Sequence, residues 1–134
     1  MGRRIAMWVG VLAVVLGGAA AGVTQTGKST ADAVYTEAQA TKGKDLFHEK
    51  CESCHNPEKF SGAEWTRAYV GRPLSEVSGA MAEMPMDNPG SLTAEETGAL
   101  IGYFLSMNKY PAGETALSGE ADALKAIMVG PRPQ

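Results

Sequence analysis

The sequence predicts an all-α domain. Apolar residues recur at three- and four-residue steps, capping boxes open the periodic segments, and no run alternates apolar with polar as a half-buried strand does. No hairpin signal or internal repeat interrupts that pattern. The first helix starts at the capping box Thr36-Glu37-Ala38-Gln39. It puts Ala40, Gly43, Phe47, Cys51 and Cys54 on one face, so it is expected to run into the cysteines. A second opens at Ser61-Gly62-Ala63-Glu64, carries Trp65, Ala68 and Tyr69 inward and stops at Gly71. Pro73 suits the first turn of a short third helix with Leu74, Val77 and Met81 on its stripe. The stretch from Met84 to Gly90, with Pro85 and Pro89, reads as irregular. Thr93-Ala94-Glu95-Glu96 caps the strongest helix, whose stripe is Leu100, Ile101, Phe104, Leu105 and Met107 before Asn108 and Pro111 end it. A last helix is expected over about residues 119 to 129.

Ahead of these helices, Arg3 and Arg4 precede a charge-free run from Ile5 to Leu16 and small residues through Ala21. That order predicts a secretory signal over residues 1–21, with Ala19-Ala20-Ala21 as the small-x-small cleavage site. The competing reading is an uncleaved anchor, because the apolar run from Ile5 to Val23 is just long enough to span a bilayer. Either way the expected location of the domain is periplasmic, free or tethered to the inner membrane. Residues 22–34 are polar and aperiodic and read as a flexible leader, which leaves residues 35–134 as the domain.

The chain has 134 residues, 113 without residues 1–21, so it can form one small domain and not a multidomain enzyme. Aromatics are only 7% of it and the domain is rich in Gly and Ala, so the core is thin and a disulfide, metal or cofactor is expected to add stability. Its 12 basic and 15 acidic residues become 10 and 15 without Arg3 and Arg4, a net charge of −5. Nucleic-acid binding is thereby disfavoured, since it needs a basic face and Lys42, Lys44, Lys50 and Lys59 are interleaved with acids.

Cys51-Glu52-Ser53-Cys54-His55 is the one specific motif. On a helix, cysteines three residues apart lie about 60° from each other around the axis, so both sulfurs can add to the vinyl groups along one porphyrin edge. The adjacent His55 then reaches the iron as proximal ligand. The same residues admit a local disulfide, a redox Cys-x-x-Cys pair, or a zinc site with His48. The first two leave His55 unexplained, and the last crowds four ligands into eight residues. Covalent haem c is therefore the predicted cofactor. His48 is seven residues before His55 on the same helix and cannot reach round to the far side of the iron, so it reads as a surface residue. A methionine thioether is the natural sixth ligand, and Met84, Met86 and Met81 are the candidates. Met84 leads because it precedes a proline in an irregular loop; Met107 and Met128 read as core filler.

With these residues in view, the chain resembles class I c-type cytochromes over about residues 35 to 117. Gly43, Phe47 and the stretch Ile101 to Ser106 resemble the N- and C-terminal helices that cross in that fold, Gly43 permitting close approach to Tyr103 or Phe104. Met84 to Thr93, followed by Asn108 to Leu117, is similar to the haem c subunits and domains that accompany quinoprotein (PQQ-dependent) dehydrogenases. The resemblance implies that Met84 is the axial ligand. It also implies that the segment from Gly62 to Leu74 lines the haem edge, with Trp65 and Arg72 as propionate contacts, although simple packing accounts equally for Trp65. The chain departs from the family between His55 and Gly62, where a shorter loop replaces one that carries a Pro-x-Leu whose carbonyl binds the proximal His.

The function so implied is an exported one-electron carrier with His55/Met84 ligation and no enzymatic activity. Its expected donor is a periplasmic dehydrogenase, quinoprotein among the options, and its acceptor a terminal oxidase or another cytochrome. Transient contacts of an acidic surface with a basic patch would suit both. The alternative is a haem protein that binds peroxide or a gas at a weakly held sixth site, which lacks a distal His or Arg near Met84 in sequence. A non-haem thiol–disulfide protein is the third reading.

Overall fold

The structure, a computed structural model, describes residues 27–134. The expected signal or anchor at 1–21 lies outside them, as do residues 22–26 of the expected leader. The described residues are mostly helical, with five α-helices and two short strands. None of these helices is long and apolar enough to cross a membrane.

Two 14-residue helices form the frame: α1 (Glu37–Lys50) and α4 (Ala94–Met107). Thr36 caps α1 by accepting from the Gln39 amide, and Thr93 and Glu96 close a full capping box on α4. The two helices make the most extensive contact between elements in the molecule. They meet at Gly43, where a Cβ would collide with the Ala99 carbonyl and stand 2.9 Å from the Tyr103 Cβ. The expected close approach is therefore observed. Helix α4 buries more than its expected stripe: every residue from Gly98 to Leu105 is buried, so it is the central element of the core.

The added cover comes from both chain ends. On one flank Gln39 exchanges two hydrogen bonds with the backbone of Leu117, 2.7 and 2.8 Å. The chain from Leu117 to Gly119 then passes over Gly98, where a Cβ would lie 2.6 Å from the Leu117 carbonyl. On another, Tyr35 is buried, donates its hydroxyl to the Tyr110 carbonyl and sets its ring 3.5 Å from where a Gly102 Cβ would be.

Two expectations fail here. The leader 22–34 is not free chain from Lys28 onward: β1 (Lys28–Ser29) pairs in parallel with β2 (Ile127–Met128), and Thr30 is fully buried with its hydroxyl accepting from the Gly130 amide. Polar composition misled because the ordering is supplied by backbone pairing to residues about a hundred positions away. The last helix, α5, covers only Ala121–Lys125. Beyond it Ile127 and Val129 are buried and Met128 is exposed, the period-2 signature of a strand, so Met128 is not core filler. The 71–74 segment lies on the other side of β2: Gly71 and Leu74 donate to the Val129 and Ile127 carbonyls, and Val129 donates back to Arg72, each at 2.8 Å.

Between the two long helices lie α2 (Gly62–Tyr69) and α3 (Ser75–Met81). Trp65, Leu74 and Val77 are buried as expected, Tyr69 and Met81 are half-buried, and Ala68 faces solvent.

Candidate functional site

Helix α1 stops at Lys50 and Cys51 is its C-cap, so the cysteines lie just past the helix. The amides of Cys51 and Glu52 both donate to the Phe47 carbonyl. Those of Cys54 and His55 then both donate to the Cys51 carbonyl, at 3.1 and 2.9 Å. This tight turn carries the chain round from Cys51 through Cys54 to His55 just past the helix end. Both cysteines are free thiols, Cys51 half-buried and Cys54 exposed.

All three residues line a single cavity of about 810 Å³. That size falls among small-molecule and cofactor pockets, roughly 300–1,000 Å³. A second group of lining residues is Met81, the last residue of α3, with Met84 and Met86 from the irregular segment after it. The apolar floor is Phe47, Phe60, Val77, Leu92, Leu100 and Phe104, drawn from α1, α3, α4 and the loops between. The sequence-predicted ligands are therefore brought to one place by segments on both sides of α2. Met84 is half-buried there, whereas Met86 is 81% exposed.

Burial raises the Cys51 thiol above its ordinary pKa, with Lys50 pulling the other way. A raised thiol is mostly protonated at neutral pH, the reverse of a redox-active Cys-x-x-Cys. Burial, then Glu76, also raises Tyr69, whose ring reaches the cavity. His48 is on the surface as expected, its Nδ1 2.6 Å from Glu52 Oε2. Among the described residues no three His, Cys, Asp or Glu side chains converge as a metal site, and the zinc alternative with His48 has no such cluster to draw on.

Trp65 and Arg72 do not line the cavity. Trp65 is buried behind it, its ring 4.9 Å from that of Tyr69, and its Nε1–H is a fully buried donor with no partner. Such a donor costs about 1–3 kcal/mol unless an acceptor reaches it. Arg72 points elsewhere: it is exposed and its guanidinium holds Glu76 at 2.9 Å, an i,i+4 pair on the solvent side of α3. The structure thus leaves Arg72 out of the cavity wall.

Sequence reasoning missed Asn108, read only as a helix end. It is fully buried, and its amide donates to the Phe60 and Phe104 carbonyls and accepts from the Gly62 amide. Its place directly after an apolar helix was a capping signal, but the partners are 46 and 48 residues away. Comparison with protein-family models, curated proteins and solved structures finds no match for the chain.

Proposed function

We propose that this chain is an exported one-electron carrier that holds a single covalent haem c in the cavity between α1, α3 and α4, with the fold of a class I cytochrome c. The observation that carries the reading is that one largely apolar cavity gathers Cys51, Cys54, His55 and three methionines from separated segments. Haem c supplies, when bound, a ferric/ferrous couple.

The chain's own residues have distinct tasks. Cys51 and Cys54 would hold the group by two thioethers to the turn after α1, each S–H adding across a vinyl group with sulfur to one carbon and hydrogen to the other. His55 offers a ring nitrogen to the iron. Met84 offers its sulfur as the second protein ligand, ahead of Met86, because Met84 is half-buried on the cavity wall while Met86 is in solvent. Trp65 is buried behind the cavity and Arg72 is engaged by Glu76, so neither enters this reading as a carboxylate contact. Phe47, Leu100 and Phe104, which line the cavity, would keep water from the buried edge of the group. Cys54 and Met86 mark the exposed side, where electrons would cross to a partner.

Electron donation by a periplasmic dehydrogenase, a quinoprotein among them, and onward transfer to an oxidase or another cytochrome remain part of this proposal. The acidic balance favours basic docking surfaces on both. Secretion through residues 1–21, cleaved or retained as an anchor, belongs to it as well, and the mass of the mature N-terminus separates the two. A peroxide- or gas-handling protein is the less favoured reading, because His55 is the one histidine among the described cavity-lining residues and no arginine is among them to move a proton.

The test is the visible spectrum of the protein purified after export with haem maturation. A low-spin c-type spectrum, a weak far-red methionine-to-iron band in the ferric form and no response of the ferrous form to CO are expected. A colourless folded protein would sink the proposal, and rapid CO binding would move it to ligand chemistry at the iron.

A further inference from the structure

The loop from His55 to Gly62 is short, and His55 is given no fixed partner by its own turn beyond the backbone bond from its amide to Cys51. Something else must fix the far end of that loop if the imidazole is to keep one orientation. We infer that Asn108 and Phe60 are the positioning residues for His55, acting as a clamp that ties its loop to the end of α4; the inference rests on the proposed haem ligation.

The clamp has two layers. Asn108, with no exposed surface, spans the loop end from both sides: its Nδ2 donates to the Phe60 carbonyl at 2.8 Å and its Oδ1 accepts from the Gly62 amide at 3.0 Å. The same Nδ2 also donates to the Phe104 carbonyl at 2.8 Å, so the loop is bonded to the helix that forms the core. Every polar atom of the amide group is thereby used. A buried amide with both N–H donors and its oxygen engaged defines one backbone position, because releasing any partner leaves a desolvated group unpaired.

The second layer is aromatic. The Phe60 ring stacks on Phe104, centroids 4.6 Å apart and planes within 6°, and meets Phe47 edge-on at 5.6 Å. The His55 ring stands against the Phe60 ring at 5.8 Å, at 77° to it. The ring that touches His55 is thus held by a face from α4, an edge from α1 and a carbonyl bonded to Asn108. Asn56 pins the start of the loop, its Oδ1 accepting from the Glu58 amide at 2.9 Å. Orientation of the imidazole passes from Asn108 to the Phe60 backbone, from there to the Phe60 ring, and then to His55.

Asn108→Ala would leave buried backbone groups unpaired and can fail to fold, so the decisive variant is Phe60→Leu, which keeps apolar volume and removes the flat faces. The control is Leu124→Ala, fully buried in α5 and away from the cavity. Proton NMR of the ferric holoprotein reads the ring signals of the proximal histidine and the methyl signal of the axial methionine separately. The expected result is a shift of the histidine ring signals in Phe60→Leu with the methionine methyl in place, and no such shift in Leu124→Ala at comparable loss of thermal stability. Unmoved histidine signals in Phe60→Leu overturn the inference. So does an equal movement in Leu124→Ala, or a shift spread equally over histidine and methionine. All three leave the haem reading standing. A wild-type protein without haem would overturn both.

Discussion

The frame and the site of this protein are built on opposite terms. Where α1 meets α4, two backbones touch at Gly43, eight consecutive residues of α4 are buried, and each chain end adds a hydrogen-bonded cover. The cavity has a floor from α1, α3 and α4, but the rest of its wall comes from residues 51–60 and 82–92, outside the α-helices, in which no residue is fully buried. The frame is complete from its own contacts. The wall surrounds a cavity of about 810 Å³, and if the proposed haem occupies it the wall's order would depend on that group.

The sharpest way to break that contrast is to remove the proposed haem attachment. The double substitution Cys51→Ala, Cys54→Ala is expected to abolish covalent haem and to reduce periplasmic accumulation severely, read by haem staining and immunoblot of the exported fraction. A colourless variant that accumulates and melts like wild type would show that the wall is self-sufficient and that the contrast is false.

Next in size is Gly43→Ala. One methyl at this position meets backbone, the Ala99 carbonyl, and not the movable tip of a side chain. Overpacking of that kind costs about 3 kcal/mol. A urea titration should show it as a lower midpoint at unchanged slope, with the spectrum of the surviving folded fraction intact. Loss of the axial ligands ahead of unfolding would mean that frame and site are coupled more tightly than the separation above allows.

Within the wall, Met84→Leu and Met86→Leu should part company. Met86 is exposed, and its replacement is expected within about 0.5 kcal/mol of wild type with no spectral change. Met84→Leu keeps the apolar volume but removes the thioether, so the far-red ferric band should vanish and the ferrous form should bind CO. The reverse pattern would assign the ligand to Met86.

The two regions were also unequally legible. Capping of α1 and α4 and the gathering of Cys51, Cys54 and His55 could be read from spacings within a few residues, where chain geometry leaves few choices, whereas the packing role of Gly43 came from the resemblance. The strap from Lys28 to Tyr35 could not, because its order comes from partners such as Ile127 and Gly130. Ile127 to Val129 read as helix for the same reason: three residues are too few to separate a strand from a helix turn without knowing that residues 71–74 lie alongside. The expectation that Arg72 contacts a propionate rests on resemblance alone, and Arg72 does not line the cavity. A cation four residues before Glu76 had a nearer partner in its own sequence.

The smallest expected effect tests where the two regions join. Lys50, the last residue of α1 before Cys51, holds Glu96 Oε1 at 2.8 Å, and Glu96 Oε2 accepts from the Thr93 amide at 2.9 Å to close the cap on α4. The Lys50 side-chain bond first, then the Thr93 backbone bond, lowers the Glu96 carboxyl below its ordinary value of 4.5. A lowered folded pKa means that the ionised group stabilises the fold above the unfolded value, and that this contribution is lost as pH falls through the folded one. Glu96→Gln can still complete the capping box but cannot pair with Lys50. Wild type should therefore exceed the variant in stability at pH 7, with the gap narrowing below about pH 4.5 as wild type loses its advantage. Thermal melts from pH 7 to 3 measure it. A constant gap across that range would mean that the tie between α1 and α4 at this end is carried by the cap and by packing, and that the charge contributes nothing to holding the attachment turn against the frame.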